Sequence, residues 1–102
     1  MFDMLGKLNE VKKAMDEMKA RLDSISVDGE AGEGSVKVTA TGNKVIKSVS
    51  IADKLMQADR KEELEELIEL AVNRALDKAQ NLSETEMKAA GKGILPNIPG
   101  LF

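Results

Sequence analysis

The chain of 102 residues contains no cysteine and no histidine. Disulfides, thiolate nucleophiles and imidazole bases are therefore excluded, together with nearly every transition-metal site. We expect no metal and no cofactor. Catalysis would depend on a Ser–Lys or a carboxylate pair, and no serine lies in a recognisable nucleophile turn. The sequence therefore argues against an enzyme and against a small-molecule substrate.

Aromatic residues are also scarce, with two Phe, no Trp and no Tyr. The core must consist of aliphatic side chains and Met, and such a core stays small in a single domain of this length. This favours burial of further surface in an oligomer. No apolar run reaches the length of a membrane span, and the N-terminus lacks the pattern of a signal peptide. We expect a cytoplasmic protein without membrane contact.

An apolar seam runs along the first segment of the chain. Its members are separated by steps of four and three residues, the spacing of a helix packed lengthwise on another helix. They are Met4, Leu8, Val11, Met15, Met18 and Leu22. The pattern predicts a first helix whose seam is core.

The central segment alternates apolar and polar residues with a period of two. Val36, Val38 and Ala40 predict a half-buried strand. The glycine-rich stretch 29–34 leads from strand to strand, and phosphate loops instead open into a helix. We therefore interpret it as a hairpin loop and not as a phosphate site.

A second hairpin follows, for which Gly42-Asn43 is a suitable two-residue turn. On the return strand, Val45, Val49 and Ile51 continue the apolar face. The register set by this turn places Lys47 on the same face, at an edge.

A long second helix is predicted after a short connector. Asp59 and Glu62 resemble a capping pair, and a broad apolar stripe runs from Leu64 to Leu82. From residue 60 to residue 90 the helix measures roughly 45 Å. It exceeds a compact domain of about 13 Å radius of gyration, so it must overhang and favours a second subunit.

Gly91 and Gly93 are predicted to end this helix. We expect a single domain over residues 1–93 and a flexible, proline-containing tail over residues 94–102. The tail is apolar, so docking on a partner or on its own dimer is the alternative to disorder.

The formal net charge is −3, from 15 basic and 18 acidic residues. On the first helix the charges separate, with acidic residues at heptad positions b and c. The basic ones lie at e, f and g and are Lys7, Lys12, Lys13, Lys19 and Arg21. Two interpretations stay open. The basic edge pairs with the glutamates between residues 62 and 69 of the second helix, or it is free to bind phosphates.

Five short motifs follow one another along the hairpins and the second helix. They are Gly34-Ser-Val-Lys-Val, Gly42, Val49-Ser-Ile51, Leu64-Glu-Glu-Leu-Ile68 and Ala71-Val-Asn-Arg-Ala75. With an opening Met-Phe and a Pro-Gly-Leu-Phe ending, they resemble the YbaB/EbfC family of nucleoid-associated proteins. The resemblance covers nearly the whole chain. Two departures are Ala52-Asp53, where the family often has Asp-Pro, and Arg74, where it often has an acidic residue.

The resemblance implies an α+β fold in which the protomer has the order α-β-β-β-α, a small antiparallel sheet and a long second helix. It further implies a tweezer-like homodimer that binds double-stranded DNA with low sequence specificity in the bacterial nucleoid, and influences nucleoid organisation and gene expression. Our candidate DNA-binding residues are Lys12, Lys13, Lys19, Arg21, Arg74, Lys78 and Lys88. The alternative is a protein-interaction or chaperone-like module similar to prefoldin.

Overall fold

The computed structural model describes the backbone of residues 2–94 and the side chains of residues 6–89. Two long helices flank a three-stranded sheet, and two short 3-10 turns, Asp53–Leu55 and Ala58–Arg60, connect the sheet to the second helix. The long elements are α1 (Phe2–Asp23), β1 (Ser26–Ala31), β2 (Val36–Thr41), β3 (Ile46–Ile51) and α2 (Lys61–Ile94). The sheet is antiparallel with the order β1-β2-β3. The predicted α+β class and the α-β-β-β-α order are thus confirmed.

The core lies between the sheet and the first half of α2. Val36, Val38 and Ala40 of the central strand are fully buried, as are Ala71 and Ala75 of α2. Because these two alanines have small side chains, the backbone of α2 can lie close to β1. The point of contact on β1 is a glycine.

Gly29 is the point of closest approach between β1 and α2. A Cβ at this position would overlap the carbonyl oxygen of Ala71 and the amide nitrogen of Ala75. Our assignment of Gly29 to a loop was wrong, because this residue lies within β1. The hairpin loop is shorter and consists of residues 32–35, where Gly32 and Gly34 adopt positive φ angles of 63° and 83°.

The second hairpin differs from the predicted two-residue turn. The turn spans residues 42–45 and is closed by a hydrogen bond from the Thr41 amide to the Val45 carbonyl at 2.8 Å. Lys44, with a φ of 67°, is the residue in the left-handed conformation. Gly42 and Asn43 do occupy the centre of a tight turn, closed by the Lys44 amide on the Thr41 carbonyl at 2.9 Å, but residues 44 and 45 follow before β3 begins. The Asn43 side chain donates a hydrogen bond to the Lys19 carbonyl of α1 at 2.9 Å.

The longer turn changes the register of β3. Val49 and Ile51 pair with Val38 and Val36, so their predicted position on the apolar face is confirmed. The placement of Lys47 on that face stays a prediction, because the ladder leaves this residue unpaired. A bulge opposite Thr39 and Ala40 interrupts the ladder at this lysine.

Both helices project from the same end of the sheet. α2 runs antiparallel to β1, because Gly32 lies at Leu67 and Gly29 lies at Ala71 and Ala75. Past this contact α2 leaves the sheet, and its Glu86 meets Arg21 of α1 at 3.2 Å. The chain therefore enters the sheet along α1 and leaves it along an antiparallel α2, within overall dimensions of 66 × 24 × 16 Å.

The ends of α2 differ from the prediction. Asp59 lies inside the turn Ala58–Arg60, so it does not cap α2, which begins at Lys61. At the other end, the helix continues through Gly91 and Gly93 to Ile94. A glycine costs a helix interior only about 1 kcal/mol, which is too little to end a helix without a left-handed turn. The rest of the predicted tail lies outside the described residues.

Within residues 2–94, neither helix combines the length and the apolar character that a membrane span requires.

The contact at Gly29 gives a prediction for stability. Gly29→Ala should lower the free energy of unfolding by about 1–3 kcal/mol, because two backbones must separate to admit the methyl group. Gly6→Ala is the matched control, since its Cβ meets open space on α1; it should raise stability by about 0.5–1 kcal/mol. Urea denaturation at one protein concentration measures both. Equal stability of the two variants would contradict the close packing.

Candidate nucleic-acid interface

The basic edge of α1 is accessible along its length. Lys12, Lys13 and Lys19 are all exposed, and none forms a salt bridge with another residue of the described part of the chain. Met18 and Leu22 anchor the C-terminal end of α1, where both are buried. The structure therefore presents these lysines on a helix that is fixed at one end and projects at the other.

The predicted pairing of this edge with the glutamates at the start of α2 was wrong. Those glutamates lie where α2 covers the sheet, whereas α1 meets α2 near Glu86, beyond the sheet. Among the described residues, the ion pair that joins the helices is Arg21–Glu86, and the one within the first turns of α2 is Lys61–Glu65 at 3.9 Å. Among the side chains of residues 6–89, Lys12, Lys13 and Lys19 are thus left without a carboxylate partner.

Arg21, a predicted DNA contact, forms an ion pair with Glu86 of α2. Its Nε and Nη2 donate to Oε2 of Glu86 at 3.4 and 3.2 Å. About half of the arginine side chain is exposed, and exposed ion pairs of this kind contribute roughly 0–1 kcal/mol. Arg21 is therefore engaged by a carboxylate of its own chain and does not belong to a free basic surface.

Arg74 and Lys78 lie apart from α1, on the side of α2 that faces the edge of β1. Nη1 of Arg74 donates a hydrogen bond to the Glu30 carbonyl at 2.7 Å. An open groove beside it is lined by both cations and by Asp28, Glu30 and Asp77. Three carboxylates against two cations make this groove a poor phosphate site. The arginine occupies a backbone carbonyl of an edge strand, which discourages pairing with another sheet.

Lys88, the last candidate, is exposed on the final third of α2. It belongs to the part of α2 that projects beyond the sheet, at the same end of the sheet as the α1 lysines. The structure therefore divides the seven predicted residues into two groups. Lys12, Lys13, Lys19 and Lys88 are exposed on the projecting helices, whereas Arg21, Arg74 and Lys78 lie beside protein acceptors or carboxylates.

The carboxylate of Asp28 on β1 has two polar partners on the neighbouring strand β2. Thr39 Oγ1 donates a hydrogen bond to its carboxylate at 2.7 Å, and Nζ of Lys37 lies 3.4 Å away. The hydrogen bond from Thr39 in the first place, and the charge of Lys37 after it, hold the pKa of Asp28 below its usual value. Because the folded pKa is depressed, the ionised carboxylate favours folding above the unfolded pKa, and this contribution is lost as the pH falls through the folded pKa.

We accordingly expect Thr39→Val to raise the pKa of Asp28, since the largest stabilising contact of the carboxylate is removed. Carboxyl-carbon NMR during an acid titration measures it. Thr85→Val is the control, because the Thr85 hydroxyl donates to the Asn81 carbonyl on α2 and not to Asp28. A pKa of Asp28 that is equal in the two variants would contradict the assignment.

Proteins of similar sequence are known, and they belong to a DNA-binding family. The sequence model of the YbaB/EbfC DNA-binding family matches residues 1–94. The chain is 36% identical to a nucleoid-associated protein of Flavobacterium johnsoniae over 98 residues, which span 96% of this chain and 91% of the relative. It is 41% identical to one of Psychrobacter sp. (strain PRwf-1) over 95 residues, or 91% and 86% of the two chains.

The fold itself is also found in a crystal structure of an uncharacterized protein from Helicobacter pylori. The TM-score is 0.66 at 20% identity, and the match covers 86% of this chain and 98% of that one. Fold and sequence together define the class: a DNA-binding protein of α-β-β-β-α architecture. Within that class, the chain belongs to the YbaB/EbfC DNA-binding family, as the sequence resemblance implied.

Proposed function

We propose that this protein is a nucleoid-associated protein of the bacterial cytoplasm that binds double-stranded DNA as a homodimer, with low sequence specificity, and thereby influences nucleoid organisation and gene expression. One observation carries the proposal. Lys12, Lys13 and Lys19 are exposed on a projecting helix and have no carboxylate partner among the described residues.

The negative net charge does not oppose this function, because it is concentrated in one place. Residues 59–69 contain six acidic and two basic side chains, a contribution of −4. Since the whole chain carries −3, the rest carries +1. The acidic turns cover the sheet, whereas the α1 lysines lie on the projecting helices. Repulsion by DNA therefore acts on the sheet end and orients the projecting end toward the phosphates.

The residue types on the projecting helices favour phosphate contacts over base readout. Lysine is a flexible point charge, and contacts to the phosphate backbone position a protein without reading sequence. The chain has no Trp or Tyr to stack on a base. We expect affinity on the order of micromolar near physiological salt, with a steep decrease as the salt concentration rises.

The uncovered face of β3 supports the homodimer. Val49 and Ile46 lie opposite the fully buried Val38 and Ala40, yet they are 46% and 40% exposed. The reason is that α2 packs over β1 and β2 and leaves β3 without a cover. On α2, Leu70 is a further exposed apolar side chain, at 41%.

An edge strand with exposed apolar side chains favours association. A two-fold axis beside β3 would let one copy cover this face of the other. The same axis would bring two α1 helices to one duplex, which doubles the phosphate contacts per protein and raises the avidity.

Light scattering at low micromolar concentration should give twice the chain mass of 11.0 kDa. Val49→Glu should shift the mass toward one chain, because a carboxylate would be placed in the apolar interface. Ser48→Glu is the matched control, since Ser48 lies on the opposite face of the same strand, and it should stay dimeric. A dimer in both variants would place the interface elsewhere, and a monomeric parent would exclude the homodimer.

For DNA binding, the decisive variant reverses the charge of Lys12 and Lys19. Their replacement by Glu should weaken binding to every mixed-sequence fragment by a similar factor, because phosphates are alike in all sequences. It should also reduce the slope of log K against log salt by about one per lost contact. Fluorescence anisotropy at several salt concentrations measures both effects.

The matched control for this experiment replaces Lys54 and Lys61 by Glu. Both are exposed lysines near the start of α2. The net charge changes equally, but these residues lie at the sheet end, so we expect affinity close to that of the parent. Equal weakening by both pairs would show an effect of net charge alone and would contradict the α1 interface. A parent without any binding at low salt would favour the interaction-module alternative.

A further inference from the structure

The two projecting helices expose an apolar strip, which consists of Leu8 and Met15 of α1 and Met87 of α2. Leu8 is 62% exposed, Met15 38% and Met87 40%. Leu8 and Met15 precede the buried Leu22 by two heptads and one heptad, so all three share one face of α1. This face is core beside the sheet and lacks a cover beyond it.

A segment of suitable chemistry follows directly on α2. Residues 95–102 read Leu-Pro-Asn-Ile-Pro-Gly-Leu-Phe, with four large apolar side chains and no charged one. Its prolines disfavour continuation of the helix. The segment thus leaves α2 at the end that projects beside the exposed part of α1.

The contact between Arg21 and Glu86 provides the register needed to test the reach of this segment. Ile94 lies eight residues beyond Glu86, or about 12 Å along the helix axis. Met15 lies about 9 Å beyond Arg21 in the same direction, and Leu8 about 20 Å, because the helices are antiparallel. Leu8 is therefore about 8 Å further along than Ile94, and eight extended residues span up to roughly 26 Å.

We propose that residues 95–102 dock on the apolar strip of their own chain and cover Leu8 and Met15. No side chain of the segment is charged, so none pairs with Lys12 or Lys19, which flank the strip four residues after Leu8 and Met15. The docked segment shields the strip from other proteins while the basic edge stays available. This inference does not depend on DNA binding, and it concerns the chain in the absence of nucleic acid.

The absence of cysteine allows a sharp test. Gly100→Cys in the full-length chain gives a single attachment point for a nitroxide spin label. We expect paramagnetic loss of amide NMR intensity around Leu8, Met15 and Met87, with the amides of β3 and of Met56 unaffected. The control is the same labelled chain with Leu8→Glu and Met15→Glu. Both side chains are exposed, so the fold should be retained and the intensities should recover.

Three results would overturn the proposal. The first is a loss of intensity confined to β3, which would place the segment on the proposed dimer face. The second is an equal, weak loss throughout the chain, or a loss that persists in the Leu8→Glu, Met15→Glu control. The third comes from mixing spin-labelled chains with isotope-labelled chains that carry no spin label: a loss at Leu8 and Met15 in that mixture would show docking on another copy.

Discussion

The close contact between β1 and α2 determines the shape of the molecule. Gly29 admits the backbone of α2 at Ala71 and Ala75, where any side chain would overlap it. The helix is thereby placed over the first two strands, and β3 is left uncovered. Because α2 has 34 residues and only its first half lies on the sheet, the second half must project. The exposed β3 face and the projecting helices both follow from this one contact.

The same placement separates the charges. The segment that carries the excess of carboxylates, residues 59–69, consists of the last connecting turn and the first turns of α2. It lies at the sheet, away from the contact between α1 and α2 at Arg21 and Glu86. The lysines of α1 would otherwise be neutralised within the chain. A net charge of −3 therefore coexists with a basic edge. For binding, the separation of the acidic and the basic region matters more than the net charge of the chain.

Sequence patterns predicted what depends on near neighbours. The alternation of apolar and polar residues predicted the central strand. The heptad pattern placed Lys12, Lys13 and Lys19 on one edge of α1, and this edge is exposed in the structure. The roles of Arg21 and Arg74 could not be predicted, because their acceptors lie 65 and 44 residues away along the chain. The β3 register was missed because the loop before this strand has four residues, 42–45, and because a bulge shifts the pairing at Lys47.

The way in which α1 is anchored affects how salt acts on this protein. Its single ion pair with α2 among the described residues, Arg21–Glu86, is exposed and weakens as salt screens it. Met18 and Leu22, by contrast, are almost fully buried, and hydrophobic contacts are not screened. The helix should therefore keep its position at salt concentrations that remove lysine–phosphate contacts. A decrease in DNA affinity with salt then measures the contacts themselves and not a loss of the helix that presents them.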